Sequence, residues 1–475
     1  MIKKAKKLDI LIMLFGIIAA AVYPLVFLWM SNVKLVEENG RIWLTIAILV
    51  SGSGVLFGLL LLVCRNASRA FLITVTVILI FENGAFLHDC LTRLAPALRY
   101  WHTAAILFVI SSVVAYVLMK LGNDASHKVS KIVSLLFVAF VCFNIVSAIP
   151  RIINRDSGIQ PLEDRAQVVE GGNGKNMYWL TFDEYSNNKV FEKYFNYDNT
   201  KFTDALEEMG FNVSYTSANE TISSIVIATN ISNFAYVMDW VGDPNHAETL
   251  SAAQDSAILI PLVESHGYEV IGIGSAHMYG FKGKTVAAKS ESGVTANGED
   301  TTMLFWKQTA AWPAVKINVN ARAQNALSQF RYLQDADNIP AGSTFVLAHF
   351  GPPHRPYMFR SDGSILPDSA YFDSTYYVGQ CQFINGEIIK IVSTIIKNDP
   401  DAIIAVVSDH SFRRYEHMAY SDKRSILASL YNGGAETDIE GMTGMNIMIT
   451  MFNEALGTDI QYVEPTVQEE PFALW

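Results

Sequence analysis

Three short polar clusters in the second part of the chain hold residues that could bind a metal ion. Each follows an apolar run typical of a buried strand, and the clusters are Asp183-Glu184, His349 to Pro356, and Ser408 to Ser411. A carboxylate at one strand end and an aspartate–histidine pair at another form a suitable ligand set for a divalent ion. A single Asp or His after a strand is more often a turn residue, so the prediction depends on all three clusters together.

A candidate nucleophile, Thr221, lies at or near the start of a segment with helical spacing, 221–233. The free N–H groups at a helix N-terminus favour phosphate binding, and a metal-bound threonine hydroxyl can attack phosphorus. Threonine is also a common N-cap residue. Taken alone, the capping role is the simpler interpretation of Thr221.

The elements that would position these residues alternate between strands and helices. Strands are predicted at 177–182, 211–215, 268–273, 344–348, 402–407 and 426–431, and helices at 199–209, 221–233, 257–265, 319–333, 382–396 and 444–456. This alternation predicts an α/β sandwich around a largely parallel sheet. In such sheets, binding sites form at the carboxyl ends of the strands.

The first 150 residues have a different character. Five apolar segments, 8–30, 42–63, 70–90, 103–119 and 132–149, are close to the roughly 20 residues that cross a bilayer. We predict a five-span transmembrane domain over 1–150, a linker over 151–176 and a catalytic domain over 177–475. The third span contains Glu82, which either marks a pathway or lipid-headgroup site or faces other helices and interfacial water.

Basic residues and charge balance predict where the second region lies. The N-terminus and the loops on its side of the membrane hold nine Lys and Arg residues, beginning with Lys3, Lys4, Lys6 and Lys7, against four in the opposite loops, one of them Lys34. The positive-inside rule therefore places the N-terminus inside and, with five spans, residues 151–475 outside a cell membrane. The first apolar stretch is also longer than the apolar core of a cleavable signal peptide.

The second region is strongly acidic. Residues 1–150 carry a net charge of +7 from 13 basic and 6 acidic residues, and the total of −11 leaves −18 for residues 151–475. Such a domain has no general affinity for nucleic acid, because phosphate backbones need basic surfaces. Cys381 is the single cysteine after residue 150, so no disulfide can form within this region.

Several motifs occur in an order that resembles the sulfatase-like branch of the alkaline phosphatase superfamily. They are Thr181-Phe182-Asp183, Asn219-Glu220-Thr221 with Asn230 nine residues later, His349 to Tyr357, Ser408-Asp409-His410, Lys423 to Leu427, and Asn446 to Thr458. The resemblance covers most of residues 177–465. Five spans before such a domain resemble lipoteichoic acid synthase and lipid A phosphoethanolamine transferase.

The resemblance implies an alkaline phosphatase or sulfatase type of fold and a role for each motif. Asp183, Thr221, Asp409 and His410 would bind one divalent ion (Mn²⁺, Mg²⁺ or Zn²⁺), with Thr221 as nucleophile. His354 would contact the transferred phosphoryl group, and His349 is a further substrate-binding candidate. We add Arg355, Arg413 and His417 as substrate-binding candidates because they lie close to these motifs in the sequence.

The activity that the resemblance implies is transfer of a phosphoglycerol or phosphoethanolamine group. The donor would be a membrane phospholipid, the acceptor a cell-surface glycan or lipid, and a phosphothreonine the intermediate. Two alternatives are a membrane-tethered phosphodiesterase or sulfuric ester hydrolase and a non-catalytic surface module of the same fold. Thr221-Ile222-Ser223-Ser224-Ile225 lacks the Cys/Ser-x-Pro-x-Arg context of sulfatases, which argues against sulfate hydrolysis by their route. Glu184 is either a second metal ligand or an exposed residue.

Overall fold

A computed structural model describes residues 7–31, 41–95, 98–153, 173–236, 250, 253–254, 256–287, 301–312, 319–370 and 372–467. Most of the predicted linker, 154–172, lies outside the described residues. The basic residues Lys3, Lys4, Lys6 and Lys34, which contribute to the predicted orientation, lie outside them too.

Helices and strands are numbered here in chain order within the described ranges. The helices are α1 (Lys7–Ser31), α2 (Arg41–Cys64), α3 (Ala67–Glu82), α4 (Gly84–Leu94), α5 (Tyr100–Lys120), α6 (Asn123–Ile153), α7 (Asn188–Phe195), α8 (Thr200–Glu208), α9 (Ser224–Asn233), α10 (Leu259–Ser265), α11 (Thr301–Gln308), α12 (Val319–Gln334), α13 (Tyr377–Asn398), α14 (Tyr420–Arg424) and α15 (Gly444–Leu456). The strands are β1 (Met177–Phe182), β2 (Asn212–Ser214), β3 (Glu269–Gly274), β4 (Thr344–Phe350), β5 (Ile403–Val407) and β6 (Ala428–Asn432).

The chain divides into two compact units. The first consists of residues 1–155 and 299–316, and the second of residues 156–298 and 317–475. The segment 299–316, which contains α11, therefore belongs with the N-terminal helices, although the sequence analysis places it in the catalytic domain with its neighbours.

The first unit contains the apolar helices of a multi-pass membrane protein. The cores of α1, α2, α5 and α6 are each long and apolar enough to cross a bilayer. The charged residue near the start of α1, Asp9, forms an ion pair with Lys131 of α6 at 2.7 Å. This pair explains how the first span accommodates a carboxylate.

The predicted third span consists of two helices. α3 and α4 are bent by 65° at Asn83, so the structure has four candidate spans, or five if this bent pair is one span. Glu82 lies at the bend with 3% of its surface exposed, and its carboxylate oxygens have no hydrogen-bond partner among the described residues.

Within the first unit, the chain after α11 packs against the bend between α3 and α4. The Ala310 N–H donates to the carbonyl of Phe81 at 2.6 Å, and the Tyr100 hydroxyl donates to the carbonyl of Ala310. A Cβ atom at Gly84 would lie 2.6 Å from Ala310 Cα. Only glycine therefore allows this close approach.

The second unit is built on a six-stranded mixed sheet with the strand order β2-β6-β5-β1-β4-β3. The four strands β5, β1, β4 and β3 are mutually parallel, whereas β6 and β2 join the edge in antiparallel pairs. The prediction of a largely parallel sheet with helices is confirmed for these central strands. All six residues of β1 are buried, as expected for a strand covered on both faces.

Alternate residues of β1 pack into two hydrophobic cores, one on each face of the sheet. Tyr178, Leu180 and Phe182 lie in a core with residues of α12 and α13. Met177 and Trp179 lie in a second core with residues of α9, α10 and α15. This burial on both faces fixes the register of β1 and hence the position of the residue that follows it, Asp183.

Candidate active site

The three predicted clusters meet at the carboxyl edge of the parallel strands. Asp183 follows β1 directly, Asp409 and His410 follow β5 after one residue, and His349 is the penultimate residue of β4. β1 lies between β5 and β4 in the sheet. The sheet order therefore brings together side chains that are up to 227 positions apart in the sequence.

The side chains of Asp183, His349 and Asp409 offer ligand atoms that lie within 4.8 Å of one another. His349 Nε2 is 3.7 Å from Asp183 Oδ2. His410 Nε2 is 3.7 Å from Asp183 Oδ1 and 3.6 Å from Asp409 Oδ2. The structure thus gathers three residues of the predicted ligand set and adds His349, which the sequence analysis gives as a substrate-binding candidate.

Hydrogen bonds occupy one oxygen of Asp409 and one ring nitrogen of His410. Asp409 Oδ1 accepts from the N–H of Glu184 at 3.0 Å and from its neighbour His410 at 2.9 Å, which leaves Oδ2 without a partner. His410 Nδ1 lies 2.8 Å from the carbonyl oxygen of Ser411. Because a carbonyl only accepts, Nδ1 carries a proton, and Nε2 is the ring nitrogen that faces the two aspartates, 3.3 Å from Ser224 Oγ.

Four buried polar atoms in this region have no hydrogen-bond partner among the described residues: Asp183 Oδ1, Thr221 Oγ1, His349 Nε2 and Asp409 Oδ2. Leaving a buried polar atom unpaired costs roughly 1–3 kcal/mol, and more for charged groups. Two carboxylates, imidazole and a hydroxyl are common ligands of divalent ions. The residues present therefore fit a divalent metal ion.

The electrostatic environment of Asp183 also favours binding of a cation. Burial raises the pKa of Asp183, but the nearby imidazoles of His354, His349 and His410 outweigh it and hold the pKa well below its usual range. The side chain is therefore an ionised carboxylate at neutral pH, which is the form that binds a cation.

Thr221 lies in a loop, near a helix N-cap but not at the cap residue itself. α9 begins at Ser224, and the residue at its N-cap is Ser223. Thr221 is fully buried, and its neighbour Asn219 donates to the carbonyl of Asp409 at 2.7 Å and accepts from the N–H of Gly444 at 2.8 Å. These contacts hold the loop beside the metal-ligand candidates.

Two arginines hold the carbonyls on either side of Thr221. Arg424 Nη1 donates to the carbonyl of Asn219 at 2.8 Å, and Arg413 Nη1 donates to the carbonyl of Ile222. Arg413 is a predicted substrate-binding residue, and the structure places its guanidinium on the nucleophile loop.

Glu184 lies next to the cluster but faces away from it. Its side chain is fully buried, so the alternative that it is exposed is wrong. Its Oε2 atom accepts from Arg414 Nη2 at 3.1 Å, and the same nitrogen lies 3.1 Å from His354 Nε2. His354 Nδ1 lies 2.6 Å from the carbonyl oxygen of Arg355, so Nδ1 carries a proton and Nε2 accepts from Arg414.

Two predicted substrate-binding residues lie apart from this cluster. His417 is exposed and stacks on Tyr415, with ring centroids 5.2 Å apart. Arg355 is also exposed, and its guanidinium lies 5.2 Å from the centroid of the Phe372 ring.

The carboxyl end of β3 contributes two residues that the sequence analysis missed. The Tyr279 hydroxyl lies 3.1 Å from Thr181 Oγ1 and 3.4 Å from His349 Nδ1, so it helps to orient His349. His277 lies within electrostatic range of His349, and burial lowers its pKa to about 4 with a further contribution from His349. The sequence signal that could have identified these two residues is their position just after a predicted strand, in the segment 274–279. That segment carries no recognised motif.

No protein-family model matches the chain, and no curated protein does either. Among solved structures, lipooligosaccharide phosphoethanolamine transferase A from Neisseria meningitidis is similar to 95% of this chain over 96% of its own, with 12% identity and a TM-score of 0.42. The zinc complex of the periplasmic domain of EptC from Escherichia coli matches 64% of this chain and 92% of its own at 13% identity and a TM-score of 0.39. Lipoteichoic acid synthase LtaP from Listeria monocytogenes matches 67% of this chain over 78% of its own, with 12% identity and a TM-score of 0.35. These are the kinds of protein that the sequence motifs resemble.

The lowered pKa of His277 predicts how the protein responds to acid. Its pKa in the folded state, about 4, lies below the value near 6.5 of an unfolded chain. The stabilising contribution of neutral His277 is therefore present above pH 6.5 and is lost as the pH falls towards 4. With a chelator present, we expect acidification from pH 7.5 to 4.5 to lower the free energy of unfolding of both proteins. The decrease should be about 2 kcal/mol larger for the wild type than for His277→Gln.

The measurement is the midpoint of unfolding at both pH values, followed by tryptophan fluorescence. His417→Gln is the matched control, because it removes an exposed histidine and should follow the wild type. Equal acid sensitivity of the wild type and His277→Gln would show that His277 is not held neutral.

Proposed function

We propose that the chain is a metal-dependent phosphotransferase of the cell membrane. It transfers a phosphoryl headgroup, of the phosphoglycerol or phosphoethanolamine type, from a phospholipid to a cell-surface glycan or lipid. The observation that carries this proposal is the meeting of three unpaired buried atoms, from Asp183, His349 and Asp409, in a chain with several helices long and apolar enough to span a membrane. Leaving these buried polar atoms unpaired lowers stability, so the arrangement favours a functional site over a purely structural module.

The metal-binding residues in this proposal are Asp183, Thr221, Asp409 and His410, as the sequence resemblance implies, together with His349. Two imidazoles among the ligands favour Zn²⁺ or Mn²⁺ over Mg²⁺, which prefers oxygen ligands. A divalent ion held there would supply neutralising charge for the oxygens of a phosphoryl group.

The chain's own residues account for two successive displacements at phosphorus. In the first, Thr221 Oγ1 forms a bond to phosphorus, the bond from phosphorus to the diacylglycerol oxygen breaks, and diacylglycerol leaves with a proton. In the second, a hydroxyl oxygen of the acceptor forms a bond to the same phosphorus, the bond from phosphorus to Thr221 Oγ1 breaks, and the proton lost by the acceptor hydroxyl returns to Thr221. The contacts of Asn219, Arg413 and Arg424 hold the nucleophile loop in place for both displacements.

His354 is the candidate proton acceptor for the second displacement. Its Nε2 accepts a hydrogen bond from Arg414, and 24% of its side chain is exposed, so an incoming hydroxyl could reach Nε2 and replace Arg414 as its hydrogen-bond donor. His410 is less suitable for this role, because its Nε2 faces the two aspartates and its side chain is fully buried. Arg414 adds a guanidinium beside His354 that can hydrogen-bond phosphoryl oxygens.

The proposed orientation puts residues 177–475 outside the cell. Support comes from the first unit, where residues of the segment 299–316 contact Thr45, Phe81 and Tyr100. These three residues lie near the helix ends that the positive-inside rule places outside. That segment is bounded on both sides in sequence by the second unit, which supports the proposed outer location of residues 177–475.

A labelling experiment tests this orientation. Starting from a variant without its four cysteines, Lys175→Cys should react with a membrane-impermeant maleimide in intact cells. Asp124→Cys, in the first turn of α6, should react only after the membrane is opened. The reverse pattern would contradict the proposed orientation.

Metal binding should stabilise the protein. Removing the metal from the full-length protein with a chelator should lower the unfolding temperature, and adding Zn²⁺ or Mn²⁺ should restore it. Saturation at 100 times the dissociation constant corresponds to about 2.7 kcal/mol. We expect Asp409→Asn and His349→Gln to lose most of this increment in a thermal unfolding assay, whereas His417→Gln should keep it. An unchanged increment in His349→Gln would remove His349 from the ligand set.

Thr221→Ala tests the reaction itself. The wild-type protein, incubated with Mn²⁺ and vesicles of mixed phospholipids, should acquire a headgroup-phosphate adduct on Thr221 that mass spectrometry detects and whose mass identifies the donor. Thr221→Ala should form no adduct and release less than about 1% of the wild-type diacylglycerol, because it lacks the nucleophile. Thr229→Ala is a matched control at another buried threonine. Retained turnover in Thr221→Ala would exclude Thr221 as nucleophile, and release of free headgroup without an adduct would favour the hydrolase alternative.

A further inference from the structure

The short helix α14 lies beside the nucleophile loop and has no role in the reaction described so far. Asn219 N–H donates to the carbonyl of Arg424 at 3.0 Å, and Arg424 Nη1 returns a hydrogen bond to the carbonyl of Asn219 at 2.8 Å. The same guanidinium lies 5.8 Å from the centroid of the Tyr420 ring. These contacts place Tyr420 next to the loop that carries Thr221.

α14 is anchored on its other side by α7. Asp422, which is buried, accepts from Lys193 Nζ at 2.6 Å and from the Tyr194 hydroxyl at 2.7 Å. The helix is therefore held between α7 and the nucleophile loop, and the position of Tyr420 is fixed by contacts that do not involve its hydroxyl.

The Tyr420 hydroxyl is buried and has no hydrogen-bond partner among the described residues, which is also true of Thr221 Oγ1. The Tyr420 and Thr221 hydroxyls lie close enough to interact electrostatically. A tyrosine phenol carries its proton at neutral pH and can therefore donate a hydrogen bond. A buried donor with no partner costs roughly 1–3 kcal/mol unless a ligand completes it.

We propose that Tyr420 is a catalytic residue whose phenol donates a hydrogen bond to the phosphoryl group as that group becomes bonded to Thr221. The inference rests on the proposed function, since it needs a phosphoryl group at Thr221. An oxygen of that group is an acceptor for the phenol proton, and no proton is transferred. A preorganised donor stabilises the charge that develops in the transition state, and removing one such donor typically lowers kcat by about 10²–10³.

Tyr420→Phe tests this proposal, because it removes the hydroxyl and keeps the ring that packs against Arg424. The full-length protein is assayed with Mn²⁺ and vesicles that contain acyl-labelled phosphatidylethanolamine and phosphatidylglycerol. The readouts are labelled diacylglycerol and the rate at which the adduct appears on Thr221. We expect kcat and the rate of adduct formation to fall about 100-fold, with KM changed less than about threefold and no fall in unfolding temperature.

Tyr178→Phe is the matched control. Tyr178 is also buried, and its hydroxyl also has no partner among the described residues, but it lies near the start of β1, at the opposite end from Asp183. This variant should keep the wild-type kcat. A third variant, with 3-fluorotyrosine at position 420, keeps both the ring and the donor and should retain most of the activity that Tyr420→Phe loses.

The outcomes separate this inference from the proposed function. A Tyr420→Phe variant with kcat within about twofold of wild type, beside an inactive Thr221→Ala, would overturn the role of Tyr420 and leave the proposed function intact. Equal losses in Tyr420→Phe and the fluorotyrosine variant would also overturn it, since the loss would then not come from the O–H group. A wild-type protein that forms neither adduct nor diacylglycerol would overturn both.

Discussion

The site depends on two buried carboxylates, Asp183 and Asp409, whose ligand atoms lie within 4.8 Å of each other and of His349. Two like charges at this separation in a buried region repel, and each also loses its hydration. Nearby imidazoles hold the pKa of Asp183 well below its usual range, and two backbone N–H groups donate to one oxygen of Asp409. One oxygen of each carboxylate is left without a hydrogen-bond partner among the described residues, where a cation could bind.

The same constraint explains the conformation of the neighbouring residue Glu184. A third carboxylate facing the cluster would add to the repulsion. Glu184 instead has a left-handed backbone, with φ of 64°, and its N–H points at Asp409 while its side chain pairs with Arg414. A non-glycine residue in this region is strained by roughly 1–2 kcal/mol. The strain is offset by a hydrogen bond to one acidic partner and an ion pair with a basic one.

Much of the fold could be predicted from the sequence, because burial on both sheet faces leaves apolar runs that end at Phe182 and Val407. Asp183 and Asp409 were predicted as site residues because they follow the ends of these apolar runs. Side-chain direction could not be read in this way: Arg413 and Arg414 are neighbours, and only the structure shows that the first holds Ile222 while the second contacts His354. Thr221 is followed by residues with helical spacing, yet its own segment is a loop in which Asn219 contacts Asp409 and Gly444. Tyr279 and Tyr420 were missed because only the sheet order and the packing of α14 bring them to the site.

On the proposed function, the charge of residues 151–475 limits how this region could meet a lipid donor. With a net charge of −18 after residue 150, it would be repelled by an anionic membrane surface rather than drawn to it. On the proposed function, attraction between charges therefore cannot supply the donor, and covalent attachment to the membrane helices has to do so. A domain tethered in this way needs little affinity of its own for the membrane, because the tether keeps it at a high effective concentration near the lipid. Such effective concentrations reach millimolar values for short linkers. A headgroup can then be bound weakly before reaction, and the donors at Thr221 are free to act mainly on the transition state.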